Sequence, residues 1–143
     1  MFMDNPEKIQ EIIDNFSDDE LEDFDGHLIV DDIDNNRKIL SKMLSILKIN
    51  SEQASNGLEA VEMASKKRYE LIWMDIKMPV MNGIESTKNI RQHIKFNGPI
   101  YATTAYTDVK TQKDCIDAGI NKIIAKPISI KMIKEISDEL KEN

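Results

Sequence analysis

Four groups of residues in this 143-residue chain have chemistry to offer, and each stands where an apolar run stops. Asp31 and Asp32 follow Leu28-Ile29-Val30, and Asp75 follows Leu71-Ile72-Trp73-Met74. Thr104 closes the run through Tyr101 and Ala102, and Lys126 comes after Ile123-Ile124-Ala125. Short apolar runs of this kind read as strands buried on both faces. In a parallel sheet all four ends lie along one edge, and neighbouring strands would bring them into one pocket. Three clustered carboxylates repel one another and favour a cation. An all-oxygen donor set that keeps some water suits magnesium. Such a cation lets a phosphoryl donor approach an anionic aspartate, which can attack in line to form an aspartyl-phosphate. A hydroxyl and a lysine are the donors that phosphoryl oxygens need. Taken singly, each residue has a plainer reading as a helix cap, a turn residue, a backbone-bonded hydroxyl or a surface lysine. Those readings would have to hold at all four strand ends together, which argues for a site.

The elements that must position these groups alternate. After the strand at residues 27–32, Asp34-Asn35-Asn36 offers an N-cap to a helix with Ile39, Leu40, Met43, Leu44 and Leu47 on its apolar face. A weak, polar strand at residues 49–54 belongs at or near the sheet edge. Ala60, Val61 and Ala64 give the next helix its buried face, and Lys66-Lys67-Arg68 suits its C-terminus. The Asp75 strand then turns through Pro79 and Gly83 into a helix expected to reach about residue 96, stopped by Asn97-Gly98-Pro99. Residues 99–105, a helix over 109–118 closed by Gly119, residues 121–125 and a last helix from Ser129 complete the series. Five strands alternating with five helices predict right-handed βαβ units. The economical fold is a flavodoxin-like, doubly wound, five-stranded parallel α/β sheet, in which chemistry gathers outside the carboxyl ends of the strands.

Residues 1–26 stand apart as an acidic extension, with residues 27–142 forming the main domain. Ile9, Ile12, Ile13 and Phe16 fall at helical spacing after Pro6, so the extension is expected to be partly helical. Its acidic run at 17–26 is not a calcium loop, which needs a mid-loop glycine and a glutamate at the twelfth position. The reading left is a solvated leader, a linker from an upstream domain or a dimer contact. The net charge of −7 argues against nucleic acid or an anionic membrane as direct partner. Cys115 stands alone, which excludes a disulfide framework and suggests a reducing compartment. No run approaches the roughly 18 apolar residues of a membrane span. A cytoplasmic protein is expected.

The stretch from about residue 27 to 140 resembles the receiver domain of two-component response regulators. The residues that carry the resemblance are Leu28-Ile29-Val30-Asp31-Asp32, the run from Met74 through Asp75, Lys77, Pro79 and Asn82 to Gly83, Ala102-Thr103-Thr104-Ala105, and Lys126-Pro127. Asn36-Arg37 and Ser55-Asn56-Gly57-Leu58-Glu59-Ala60 make it most similar to receivers of hybrid histidine kinases. The resemblance implies a phosphoacceptor module, not an enzyme on other substrates, that takes a phosphoryl group from a histidine kinase or histidine phosphotransfer protein. Asp75 would be the acceptor. Asp31 with Asp32 would bind Mg2+, Asp32 directly and Asp31 through water, and the carbonyl of Lys77 would complete the metal shell. Thr104 would be the switch hydroxyl and Lys126 the phosphoryl contact, with the Lys126–Pro127 bond cis. Family partners dock mainly on the first helix of the domain.

Two positions depart from the family pattern. Ile123 stands three before the lysine, where many receivers carry an aromatic that changes rotamer. Tyr106 stands two beyond Thr104, where smaller polar residues are common; with Lys77, two beyond Asp75, it would tune water access to the phosphoryl group. A phosphatase working through an aspartyl intermediate would want a carboxylate at position 77. A nucleotide or flavin binder would want a glycine-rich loop where Asp32-Ile33-Asp34 stands. A receiver-like scaffold without phosphorylation would not need the full set of Asp31, Asp32, Asp75, Thr104 and Lys126.

Overall fold

The computed structural model describes residues 4–105 and 107–142. In chain order the elements are α1 (Asp4–Asn15), β1 (Glu22–Asp23), β2 (Gly26–Val30), α2 (Asp34–Ile46), β3 (Asn50–Ala54), α3 (Gly57–Ala64), β4 (Lys67–Arg68), β5 (Leu71–Asp75), α4 (Gly83–Asn89), β6 (Ile100–Thr104), α5 (Val109–Ala118), β7 (Lys122–Ala125) and α6 (Ile130–Glu142). Five strands form one parallel sheet in the order β3-β2-β5-β6-β7. This is the doubly wound α/β fold expected. The four strands that end on candidate residues are contiguous, and β3, the polar strand, is at the edge.

Every residue of β2, β5 and β6 is buried, because helices cover both faces of the sheet. Side chains alternate between two cores even though the sequence does not alternate in polarity. Ile29, Leu71, Trp73, Tyr101 and Ile124 pack with Leu40 and Leu44 of α2 and Ile133 and Ile136 of α6. Leu28, Val30, Ile72, Met74, Ile100 and Ala102 pack on the opposite side with Ala60, Val61 and Ala64 of α3 and Cys115 of α5. Burying each large aliphatic side chain contributes about 1.5–3 kcal/mol.

Capping follows the sequence at three helices. Asn56, Asn82 and Asp108 accept from the backbone N–H of Glu59, Glu85 and Thr111 at 2.8, 2.8 and 2.7 Å. The start of α2 differs: the capping position is Ile33, without a side-chain cap, and Asp34 is already in the first turn. The helix after Gly83 also differs. α4 ends at Asn89 and continues as a π-helical turn over Ile90–Ile94, with Lys95 left-handed. The guanidinium of Arg91 accounts for that ending. It donates to the carbonyls of Phe96, Gly98 and Gly119 and to Oδ1 of Asn121, drawing the turn against the start of β7.

Lys67 and Arg68, expected at a helix end, instead form β4 and pair in parallel with β1. Lys67 is drawn there by Glu52 of β3, at 2.6 Å, and its ammonium also lies over the Phe24 ring. α1 packs beside α3. Ile12 enters the core there, and Ile9, Phe16 and Phe24 pack against it.

Candidate functional site

The carboxyl ends of β2, β5, β6 and β7 bring Asp31, Asp32, Asp75, Thr104 and Lys126 to one edge of the sheet. Register puts Val30 beside Met74, Asp75 beside Thr103 and Thr104 beside Ala125. The residues following those pairs therefore share one mouth. Asp31 and Asp75 are buried, at 5% and 7% exposure, while Asp32 is exposed. One carboxylate oxygen from each of the three lies within 4.8 Å of the others. The Lys126 ammonium reaches Oδ2 of Asp31 at 3.1 Å and Oδ1 of Asp75 at 3.3 Å.

One ammonium shared between two buried carboxylates leaves the cluster short of positive charge. Burial and the neighbouring Asp31 push Asp75 up to about 6, against the pull of Lys126. Burial alone would lower Lys126, but Asp75 and Asp31 outweigh it and hold the ammonium above its usual value. The donor set fits a hard divalent cation: all oxygen, two carboxylates buried and fixed, a third exposed where water can remain.

The loops that carry these groups are held locally. Oδ1 of Asp31 accepts from the Ile33 N–H at 2.9 Å, and Asn36 donates to its Oδ2 at 3.4 Å. After Asp75 the chain folds back so closely that a Cβ on Gly83 would overlap the Asp75 carbonyl oxygen. The Gly83 N–H donates to the Ile76 carbonyl at 2.9 Å. Between them Val80 adopts φ of 71°, in a three-residue turn closed by Met81 N–H to the Pro79 carbonyl at 2.8 Å. That region is costly for a β-branched residue.

Thr104 is buried at the end of β6. Lys77 is exposed, Ile123 is half-buried against the α3 side of the core, and the Lys126–Pro127 peptide is cis. Tyr106 lies outside the described residues. Sequence reasoning gave no role to Arg37, although it noted the Asn36-Arg37 pair. Its Nη1 donates to the Asp31 carbonyl at 2.7 Å. The signal was available: an arginine one turn into the helix that follows two acids can reach back over their loop. Beside the site, Ile39, Leu40 and Met43 of α2 face Pro127 and Ile128 across an apolar groove of about 410 Å³ that opens onto Asp31 and Lys126.

An open parallel sheet with carboxylates and a lysine at its carboxyl edge is the arrangement expected of a receiver domain. The chain belongs to the response regulator receiver domain family, whose profile matches residues 28–138. It is 38% identical over 115 residues to the autoinducer 2 sensor kinase/phosphatase LuxQ of Vibrio parahaemolyticus, across 80% of this chain and 13% of that protein. With the osmosensing histidine protein kinase SLN1 of Saccharomyces cerevisiae it shares 37% over 118 residues, 78% of this chain and 10% of the kinase. The chain thus spans about a tenth of the length of these relatives. Among solved structures, a sensor histidine kinase receiver domain from Pseudomonas aeruginosa, with magnesium coordinated in its active-site cleft, superposes with a TM-score of 0.74. It is 28% identical, covering 86% of this chain and 99% of that one. The Vibrio cholerae chemotaxis protein CheY4 gives 0.74 at 27% identity, over 84% and 98%. The chain is a receiver domain similar to those of hybrid histidine kinases.

Proposed function

We propose that this receiver accepts a phosphoryl group on Asp75 from a phosphohistidine, on a histidine kinase or a phosphotransfer protein, with Mg2+ as cofactor. The observation that supports it best is the cluster itself, three carboxylates within 4.8 Å of one another with one lysine paired to two of them. Asp31, Asp32, Asp75 and the Lys77 carbonyl would hold the cation, which when bound offsets the charge between the acids and the incoming phosphoryl oxygens. An oxygen of Asp75 attacks phosphorus in line as the P–N bond breaks, and the departing imidazole takes up a proton. Lys126, already beside Asp75, pairs with the new phosphoryl oxygens. Thr104, one strand away, donates its hydroxyl to them and carries the change to the loop after β6. With Ile123 on β7 in place of an aromatic, that loop movement is the readout.

The domain would extend over residues 27–142 with 1–26 as an acidic extension, and would catalyse only its own phosphorylation and dephosphorylation. The apolar groove beside α2 suits a helical phosphohistidine partner, since it opens onto Lys126. Lys77, with Tyr106, would set how readily water reaches the phosphoryl group. Among the described residues no helix is long and apolar enough to cross a membrane; we place the domain in the cytoplasm.

The test is incubation with Mg2+ and a small phosphoryl donor, read by intact mass, for the wild type and Asp75→Asn. One acid-stable, base-labile phosphoryl group on the wild type and none on the variant is the expected result. Equal labelling of the two, or none on either, contradicts the proposal.

A further inference from the structure

Arg37 holds the acidic loop in a way that the phosphoacceptor reading does not use. The connection from β2 to α2 is only Asp31, Asp32 and Ile33. Asp31 is engaged on every side. Its N–H donates to the Ala54 carbonyl at 3.2 Å, and its carboxylate accepts from Ile33, Asn36 and Lys126. Its carbonyl accepts from Nη1 of Arg37 at 2.7 Å. Asp32 is exposed and makes no hydrogen bond or ion pair among the described residues. The direction of its carboxylate is therefore inherited from the Asp31–Asp32 peptide. Arg37 fixes that peptide from two further anchors: Nη2 donates to Oδ1 of Asp34 at 2.9 Å, and Nε to Oε1 of Gln53 on β3 at 3.2 Å. Its side chain is only 13% exposed.

We propose that Arg37 is a positioning residue for divalent-cation binding, aiming Asp32 through the clamped peptide rather than acting by its charge. The inference rests on the acid cluster being the magnesium site. Three donors in a planar fork reach three acceptors on different elements, a geometry that a lysine cannot reproduce. Charge and geometry predict opposite signs. A guanidinium near a cation site repels the cation, so its removal would tighten binding if charge were its role. Loss of aim loosens binding, and groups that orient metal ligands are typically worth about 10- to 100-fold in affinity.

The experiment is a calorimetric Mg2+ titration of the full chain, as wild type, Arg37→Ala and Arg37→Lys, each checked for cooperative melting. Affinity about tenfold weaker in both variants is expected, with no rescue by lysine, which keeps the stem and charge and so the fold. Unchanged or tighter binding by Arg37→Ala, or wild-type affinity in Arg37→Lys, overturns the role of Arg37 alone. A wild type that binds no Mg2+ overturns the reading of the site, and the inference with it.

Discussion

The two ends of the parallel sheet are built on opposite plans. At the amino end, the half-buried Arg91 and buried His27 side chains are matched by hydrogen-bond partners. Arg91 donates five hydrogen bonds, all to carbonyl-type oxygens. Buried His27 accepts from the Trp73 indole N–H at 3.1 Å, and burial lowers it to about 4, so it stays neutral at physiological pH. At the carboxyl end, three acids cluster with one ammonium that reaches two of them, and a valine sits at a positive φ. Saturated hydrogen bonding fixes a structure, whereas unmatched charge and strain are unfavourable until a ligand relieves them. A receiver needs both, a rigid base and a mouth whose energy changes when a phosphoryl group arrives.

That contrast can be broken experimentally, most strongly at Arg91. Arg91→Ala should lower stability by about 3 kcal/mol, because charge-assisted bonds to several carbonyls are lost at once. Mg2+ affinity should stay unchanged. Chemical denaturation and metal titration of the variant check both, and a matching loss of affinity would mean the two ends are coupled.

Asp75→Asn should move stability the other way. Folding raises Asp75 from 3.8 to about 6, so its favourable contribution is complete below the unfolded value and is lost as pH rises through about 6. Without metal at pH 7.5 the variant should therefore be more stable by up to about 3 kcal/mol. Near pH 3.5 the gain should vanish. Melting at both pH values in chelator sharpens the contrast if the difference follows that sign.

Val80→Gly should add about 1 kcal/mol, since relief of a strained backbone exceeds the entropy a glycine brings to the unfolded chain. Equal melting temperatures would show that the loop carries no strain.

The sequence made the sheet legible because its three central strands, β2, β5 and β6, are buried on both faces and so appear as unbroken apolar runs ending on functional groups. Leu71-Ile72-Trp73-Met74-Asp75 is the plainest example. The candidate acids, Thr104 and Lys126 could be placed together because parallel strands share an edge. What could not be read is what depends on contacts across the fold. Lys67-Arg68 looks like a helix end until Glu52 and Phe24 are known to be its neighbours. Ile90 to Ile94 carries ordinary helical spacing, and the π turn appears only because Arg91 reaches Gly119 and Asn121. At Arg37 the spacing allows a reach back over the acidic loop, but the Gln53 anchor on β3 that completes its clamp depends on the fold.

The proposed function makes Asp75, of three neighbouring carboxylates, the one that accepts the phosphoryl group. Reduction of the phosphorylated protein with borohydride converts an aspartyl-phosphate to homoserine, which peptide mass mapping locates. Homoserine at position 75, dependent on Mg2+ and absent at 31 and 32, is the predicted result. Homoserine at 31 or 32, or at none of the three, would contradict it.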